Sequence, residues 1–114
     1  MVQYQELDRT LAALADPTRR AVVEQLGRDG VATVSELAEP AGISLTGMKK
    51  HLRVLEEAGL VESEKVGRSR QCRLGPNRAE AVSAWIEDYR KTIEQRFDRF
   101  EAVLAERMGE EHGD

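Results

Sequence analysis

The sequence predicts a mainly α-helical chain with one small β-hairpin and a single long C-terminal helix. Three observations predict it. Apolar residues recur every three or four positions over most of the 114 residues, as on one face of a helix. That period breaks over residues 60–74, where apolar and polar residues alternate in places around Gly67-Arg68-Ser69. Beyond Pro76 the helical spacing resumes and continues to Met108 without a breaker.

Composition sets the bounds. A chain of 114 residues is one domain by size, taken here as residues 1–108 followed by a polar, disordered tail at 109–114. The hydrophobic fraction of 40% is enough for a core, while 33% charged residues require much solvated helix face. No apolar run approaches the roughly 18 residues needed to cross a bilayer. The N-terminus, MVQYQELDRT, lacks the basic and apolar regions of a signal peptide. The single cysteine, Cys72, cannot form an intrachain disulfide, so a reducing cytoplasm is the expected location.

Each element has a local reason. Leu7, Leu11 and Leu14 give residues 3–15 a helical stripe. Asp16-Pro17 ends that helix and starts the next: Asp16 suits an N-cap, and Pro17 suits the first helical position, where no N–H is needed. The second helix runs through Ala21, Val22 and Leu26 to a C′ glycine, Gly30. Val31–Val34 leans towards β. Ser35 is the expected cap of a helix of about two turns, which Pro40 keeps short. Gly42 permits a sharp turn. Ser44 caps the next helix, anchored by Met48, Leu52 and Leu55 and ending at Gly59. A hairpin follows, with strands at 61–66 and 70–74 and a turn near 67–69. Asn77 is the expected cap of the final helix, Arg78 to Met108. Val82, Trp85, Ile86, Tyr89, Ile93, Phe97, Phe100, Leu104 and Met108 form its apolar stripe. About thirty helical residues span roughly 45 Å, against a radius of gyration of roughly 13 Å for a domain of this size. Part of the stripe must therefore meet another chain.

Charge is segregated along the chain. The net charge is −4, yet residues 1–43 carry −3, residues 44–75 carry +3 and residues 76–114 carry −4. The basic island falls on the helix after Ser44 and on the hairpin. Two helices joined by a tight glycine turn and followed by a basic hairpin form a winged helix-turn-helix, here with a long C-terminal dimerisation helix. A helix of this width fits the major groove of double-stranded DNA. Ser44, Thr46 and Gly47 are small or hydrogen-bonding, as close approach to base edges requires. Lys49, Lys50 and His51 extend the same surface, and Arg68, Ser69 and Arg70 place charge at the hairpin tip.

These segments resemble the ArsR/SmtB family of bacterial winged-helix repressors. The resemblance covers roughly residues 7–75 and rests on Asp16-Pro17-Thr18-Arg19, on His51-Leu52-x-x-Leu55 and on the Ala58-Gly59-Leu60-Val61 exit into the wing. The segment WIEDYRKTIEQRFDRFEAVL is similar to a subgroup often encoded beside small START-superfamily proteins. The resemblance implies a homodimer with two recognition helices that binds a pseudo-palindromic operator and represses transcription. It puts Ser44, Leu45, Thr46, Gly47, Lys49 and Lys50 on the major groove and Arg68, Ser69 and Arg70 on the wing. It also assigns the first and last helices to the dimer interface, through Leu7, Leu11, Trp85, Tyr89, Ile93, Phe97, Phe100 and Leu104. Two positions depart from the pattern. Lys49 stands where many relatives have serine, and Leu45 where glutamine is common, leaving apolar contact such as a thymine methyl.

Members of that family often release DNA on binding metal. Here ELAEPAG holds no cysteine and residues 78–107 hold no histidine, whereas soft metals need several converging thiolates or imidazoles. No metal and no cofactor are expected, and an effector, if one exists, is unspecified. Cys72 reads as a half-buried strand residue or a redox switch, His51 as a phosphate contact or a locally packed residue. Arg19 and Arg20 read as helix-surface or intramolecular ion-pair residues rather than DNA contacts. Trp85, Tyr89, Phe97 and Phe100 could instead line an effector pocket. The rival reading is a winged-helix protein-interaction module that does not bind specific DNA. No nucleophile–base pair, phosphate-cradling glycine loop or metal-bearing carboxylate pair points to an enzyme.

Overall fold

The computed structural model describes residues 2–111, and the side chains of residues 5–109. The chain divides into two compact units, one ending at Val82 and one beginning at Ser83. The first contains α1 (Val2–Leu14), α2 (Pro17–Asp29), β1 (Val31–Thr33), α3 (Val34–Ala41), α4 (Leu45–Glu57), β2 (Val61–Val66), β3 (Ser69–Leu74) and the start of α5 (Glu80–Glu111). The second is the remainder of α5.

The boundaries follow from caps. Asp16 sits in an extended conformation and its Oδ1 accepts from the Thr18 and Arg19 amides at 2.8 and 3.2 Å. Gly30, at φ 82°, closes α2 by donating to the Leu26 carbonyl. The next cap differs from the expectation. Thr33, not Ser35, begins α3, because β1 feeds directly into the helix with Thr33 still extended. The Thr33 hydroxyl accepts from the Glu36 amide at 3.2 Å, and Glu36 Oε1 accepts from the Thr33 amide at 3.0 Å, a reciprocal capping box. Ser35 is left exposed in the first turn. Pro40 lies inside α3. It lacks the N–H that would reach the Glu36 carbonyl, and Gln25 Nε2 donates to that oxygen instead, at 3.2 Å.

The hairpin pairs β2 with β3 antiparallel, Val61 opposite Leu74 and Val66 opposite Ser69. The sheet has a third strand. β1 pairs with β3, Ala32 opposite Cys72, so the order is β1-β3-β2 rather than an isolated two-stranded hairpin. Its inner face joins the core of this unit: Val22 and Leu26 of α2, Leu37 of α3, Met48, Leu52 and Leu55 of α4, and Val61 and Cys72 of the sheet are all buried. Full burial of such side chains contributes on the order of 1.5–3 kcal/mol each.

One polar junction ties the far end of this unit together. Asn77 Nδ2 donates to the Ala58 carbonyl at 2.7 Å and to Thr10 Oγ1 at 3.0 Å. Asn77 Oδ1 accepts from the Ala79 amide at 2.7 Å, just before α5 begins. Thr10 is a buried polar side chain, only 2% exposed. Gly75 has no room for a side chain, since a Cβ there would lie 2.3 Å from the Gly59 carbonyl oxygen.

Within its own unit, α5 is amphipathic but uncovered. It starts at Glu80, two residues after the expected Arg78, and continues to Glu111; residues 112–114, including His112, lie outside the described residues. Its 32 residues span about 48 Å. Trp85 and Tyr89 stack with centroids 5.4 Å apart, and Arg90 pairs with Glu87 and Glu94 on the charged face. No helix among the described residues is long and apolar enough to cross a membrane.

Two predictions follow from the caps. Asn77→Ala strands Thr10 and the Ala58 carbonyl, and chemical denaturation should show a loss of about 1–3 kcal/mol. Hydrogen bonds from the Thr33 amide and hydroxyl hold the Glu36 carboxyl below the usual range. Its stabilising effect is present above the unfolded carboxylate range and is lost as pH falls through the lowered folded value. The melting-temperature difference between the wild type and Glu36→Gln should therefore shrink on acidification.

Candidate nucleic-acid interface

The N-terminal turn of α4 is built to be approached. Ser44 is extended and its Oγ accepts from the Gly47 amide at 3.0 Å. Ser44, Leu45 and Thr46 are exposed, and Leu45 is 48% accessible despite being apolar. Gly47 keeps the turn flat, since a Cβ there would press on the cap oxygen at 3.3 Å. Met48, fully buried, turns the opposite face inward, leaving Lys49 and Lys50 in solvent.

The hairpin alternates its two faces. On the outer face Arg73 bridges Glu62 at 3.3 Å and Glu64 at 3.4 Å, one guanidinium shared between two carboxylates. On the inner face Lys65 lies opposite Arg70, towards the tip from the Ser63–Cys72 pair. Arg70 Nη1 donates to Ser63 Oγ at 2.8 Å, and Ser63 Oγ donates to Glu56 near the end of α4. The wing is thus hydrogen-bonded to α4.

Between hairpin and helix lies an open cleft of about 400 Å³, bordered by Ser35, Leu45, Lys49, Lys65, Arg68, Ser69 and Arg70. Among the described residues, none of these four cations forms an ion pair. Like charges converging without carboxylates disfavour one another until an anion arrives, and a row of phosphates supplies one. Leu45, Lys49, Arg68, Ser69 and Arg70 of the sequence-predicted set meet here. Ser44, Thr46, Gly47 and Lys50 lie on the adjoining start of α4. Lys65 was missed by sequence reasoning, although alternation from Val61 puts it on the same face as Ser63 and opposite Arg70. Ser35 was read only as a cap.

His51 is placed differently. It is half-buried, and its Nδ1 is 3.2 Å from Arg19 Nη1, away from the cleft. Arg19 and Arg20 are intramolecular, as expected, but they bind the carbonyls ending α1 rather than carboxylates. Cys72 is fully buried; burial pushes its thiol up, and Glu56 adds to this. A raised thiol is a poor nucleophile, which favours the packing role over a redox one. No three His, Cys, Asp or Glu side chains among the described residues are grouped to hold a metal.

For the expected dimer surface, Leu7 is buried within its own unit at 9% exposure, so it offers a partner little area, whereas Leu11 is 42% exposed. On α5, Trp85, Tyr89, Phe97, Phe100 and Leu104 are exposed, Phe97 at 65%, and Ile93 is half-buried.

Comparisons with known proteins agree with this geometry. A helix-turn-helix domain family matches residues 14–64. The chain is 42% identical over 76 residues to the HTH-type transcriptional regulator Rv2034 of Mycobacterium tuberculosis, covering 67% of this chain and 70% of that one. A crystal structure of an ArsR family transcriptional regulator superposes with a TM-score of 0.72 at 42% identity, covering 79% of this chain and 92% of the other. An ArsR-like transcriptional regulator from Rhodococcus sp. RHA1 gives a TM-score of 0.73 at 32% identity over 89% and 92%. A chain that shares this identity, this coverage and a basic wing beside the exposed helix α4 belongs to the ArsR family of winged helix-turn-helix transcriptional regulators.

Proposed function

We propose that this ArsR-family chain acts as a homodimeric repressor that reads a pseudo-palindromic operator. The observation that carries the proposal is the cleft in which Lys49, Lys65, Arg68 and Arg70 converge without carboxylate partners, beside the exposed start of α4. In this reading α4 is the recognition helix and lies in the major groove. Ser44, Leu45, Thr46 and Gly47 approach base edges, and Lys49 is long enough to reach bases or backbone. Lys50 and Lys65 neutralise phosphates, while Arg68, Ser69 and Arg70 track the backbone or enter the minor groove.

Self-association is supported by the uncovered stripe on α5. Large apolar side chains left about half or more exposed along one helix mark an interaction surface. The proposed contacts are Trp85, Tyr89, Ile93, Phe97, Phe100 and Leu104, with Leu11 on α1. Two recognition helices would then reach half-sites about one DNA turn, roughly 34–36 Å, apart.

The test is a titration against the duplex upstream of the protein's own coding sequence and against an unrelated duplex of equal length, over a salt series. Tighter binding to the first is expected. Lys65→Ala should reduce the steepness of the log-affinity against log-salt plot by about 1 while leaving sequence preference intact. Equal, weak binding to both duplexes would instead favour a protein-interaction module. An unchanged salt slope would remove Lys65 from the interface. Phe97→Glu is expected to shift sedimentation towards the monomer and to weaken operator binding by at least about tenfold, the equivalent of roughly 1.4 kcal/mol. A variant that stays dimeric would refute the α5 assignment.

A further inference from the structure

Arg70 differs from the other cations of the cleft in being held from behind. Its Nη1 donates to Ser63 Oγ at 2.8 Å, and the Ser63 hydroxyl in turn donates to Glu56 Oε1. A hydroxyl has one proton and can accept as well, so both bonds form at once. They join three elements: Arg70 lies on β3, Ser63 on β2 and Glu56 in the last turn of α4. Ser63 and Glu56 are half-buried, whereas Arg70 is exposed and borders the cleft. Among the described residues, Lys49, Lys65 and Arg68 carry no such side-chain hydrogen bond.

A carboxylate this close to a phosphate-binding surface is at first sight misplaced. Like charges disfavour one another, so Glu56 as a bystander would weaken DNA binding, and its neutralisation would strengthen it. The hydrogen bonds point the other way. Among the described residues Glu56 forms no direct ion pair with Arg70; the serine hydroxyl stands between them. The guanidinium is anchored through one of its five N–H donors. Its Nε–Nη2 edge, which can grip a phosphate in bidentate fashion, is left free.

We propose that Glu56 is a positioning residue for DNA binding: acting through Ser63, it holds the Arg70 guanidinium at the cleft in readiness for a backbone phosphate. The proposal rests on the reading of the cleft as the DNA interface. A free arginine must be ordered when DNA arrives, and each such side chain costs affinity. Here the ordering precedes binding. Because Glu56 belongs to α4, the tie also gives the wing cation a set position relative to that helix.

The experiment measures affinity for the upstream duplex over a salt series. It compares the wild type, Glu56→Ala, Glu56→Gln, Arg70→Ala and the Glu56→Ala/Arg70→Ala double variant. Both changes at Glu56 remove the charge, but only Glu56→Ala removes the acceptor. Glu56→Gln should bind at least as tightly as the wild type. Glu56→Ala should bind about fivefold more weakly than Glu56→Gln, the cost of ordering one long side chain on binding. The salt slope of Glu56→Ala should match the wild type, since Arg70 still reaches its phosphate, whereas Arg70→Ala should reduce the steepness by about 1. With Arg70→Ala in place, Glu56→Ala should cost nothing further. Equal binding by Glu56→Ala and Glu56→Gln, or a loss that persists once Arg70 is gone, would overturn the proposal. Guanidinium NMR reads the tie without DNA. Slowed rotation of the Arg70 Nη groups is expected in the wild type and Glu56→Gln, and free rotation in Ser63→Ala. Free rotation in all three would refute it. A wild type without sequence preference for any duplex would instead count against the repressor reading.

Discussion

Met48, Leu52 and Leu55 hold α4 by its inner face, and the rest of the site depends on that grip. With Met48 and Leu55 fully buried and Leu52 nearly so, helical geometry leaves the start of the helix no choice but to face outward: Leu45, Thr46, Lys49 and Lys50 are exposed because their neighbours are not. The cap at Ser44 fixes where the helix starts, and the turn at Gly42 fixes its approach from α3. An exposed leucine at the start of such a helix gains nothing from water.

The hairpin applies the same logic with a period of two. Its buried residues, Val61 and Cys72, commit Ser63, Lys65 and Arg70 to the inner face. The carboxylates of Glu62 and Glu64 go to the outer face, where Arg73 satisfies them. One strand pair thus separates an ion-paired, carboxylate-bearing face from a cationic one, so an acidic protein can still carry a basic surface. The hydrogen bonds from Arg70 through Ser63 to Glu56 connect the wing to the helix beside it, so the two walls of the cleft are not independent appendages.

Much of this was legible in the sequence because it is local. Periodicity located the helices, Asp16-Pro17 and Ser44 marked two caps, and the charge of residues 44–75 pointed to the segments that line the cationic cleft. What escaped was of two kinds. Some was present and overlooked: Thr33-x-x-Glu36 is a capping-box pattern, and Lys65 follows from alternation. The rest depends on residues distant in sequence. Pairing of β1 with β3, the bond from Asn77 to Thr10 and the approach of Arg19 to His51 join segments whose proximity is set by tertiary packing. No window of sequence contains them. The burial of Leu7 belongs with these, because spacing places it on a helix face without saying what covers that face.

The central claim is that α4 reads bases in the major groove and does so twice in a dimer. Methylation protection of guanine N7 on the upstream duplex tests it most directly, since that atom lies in the major groove. The account predicts two protected patches related by inverted symmetry, with centres about 10 base pairs apart. Protection that is absent, confined to one patch, or unrelated to a symmetric spacing would contradict it.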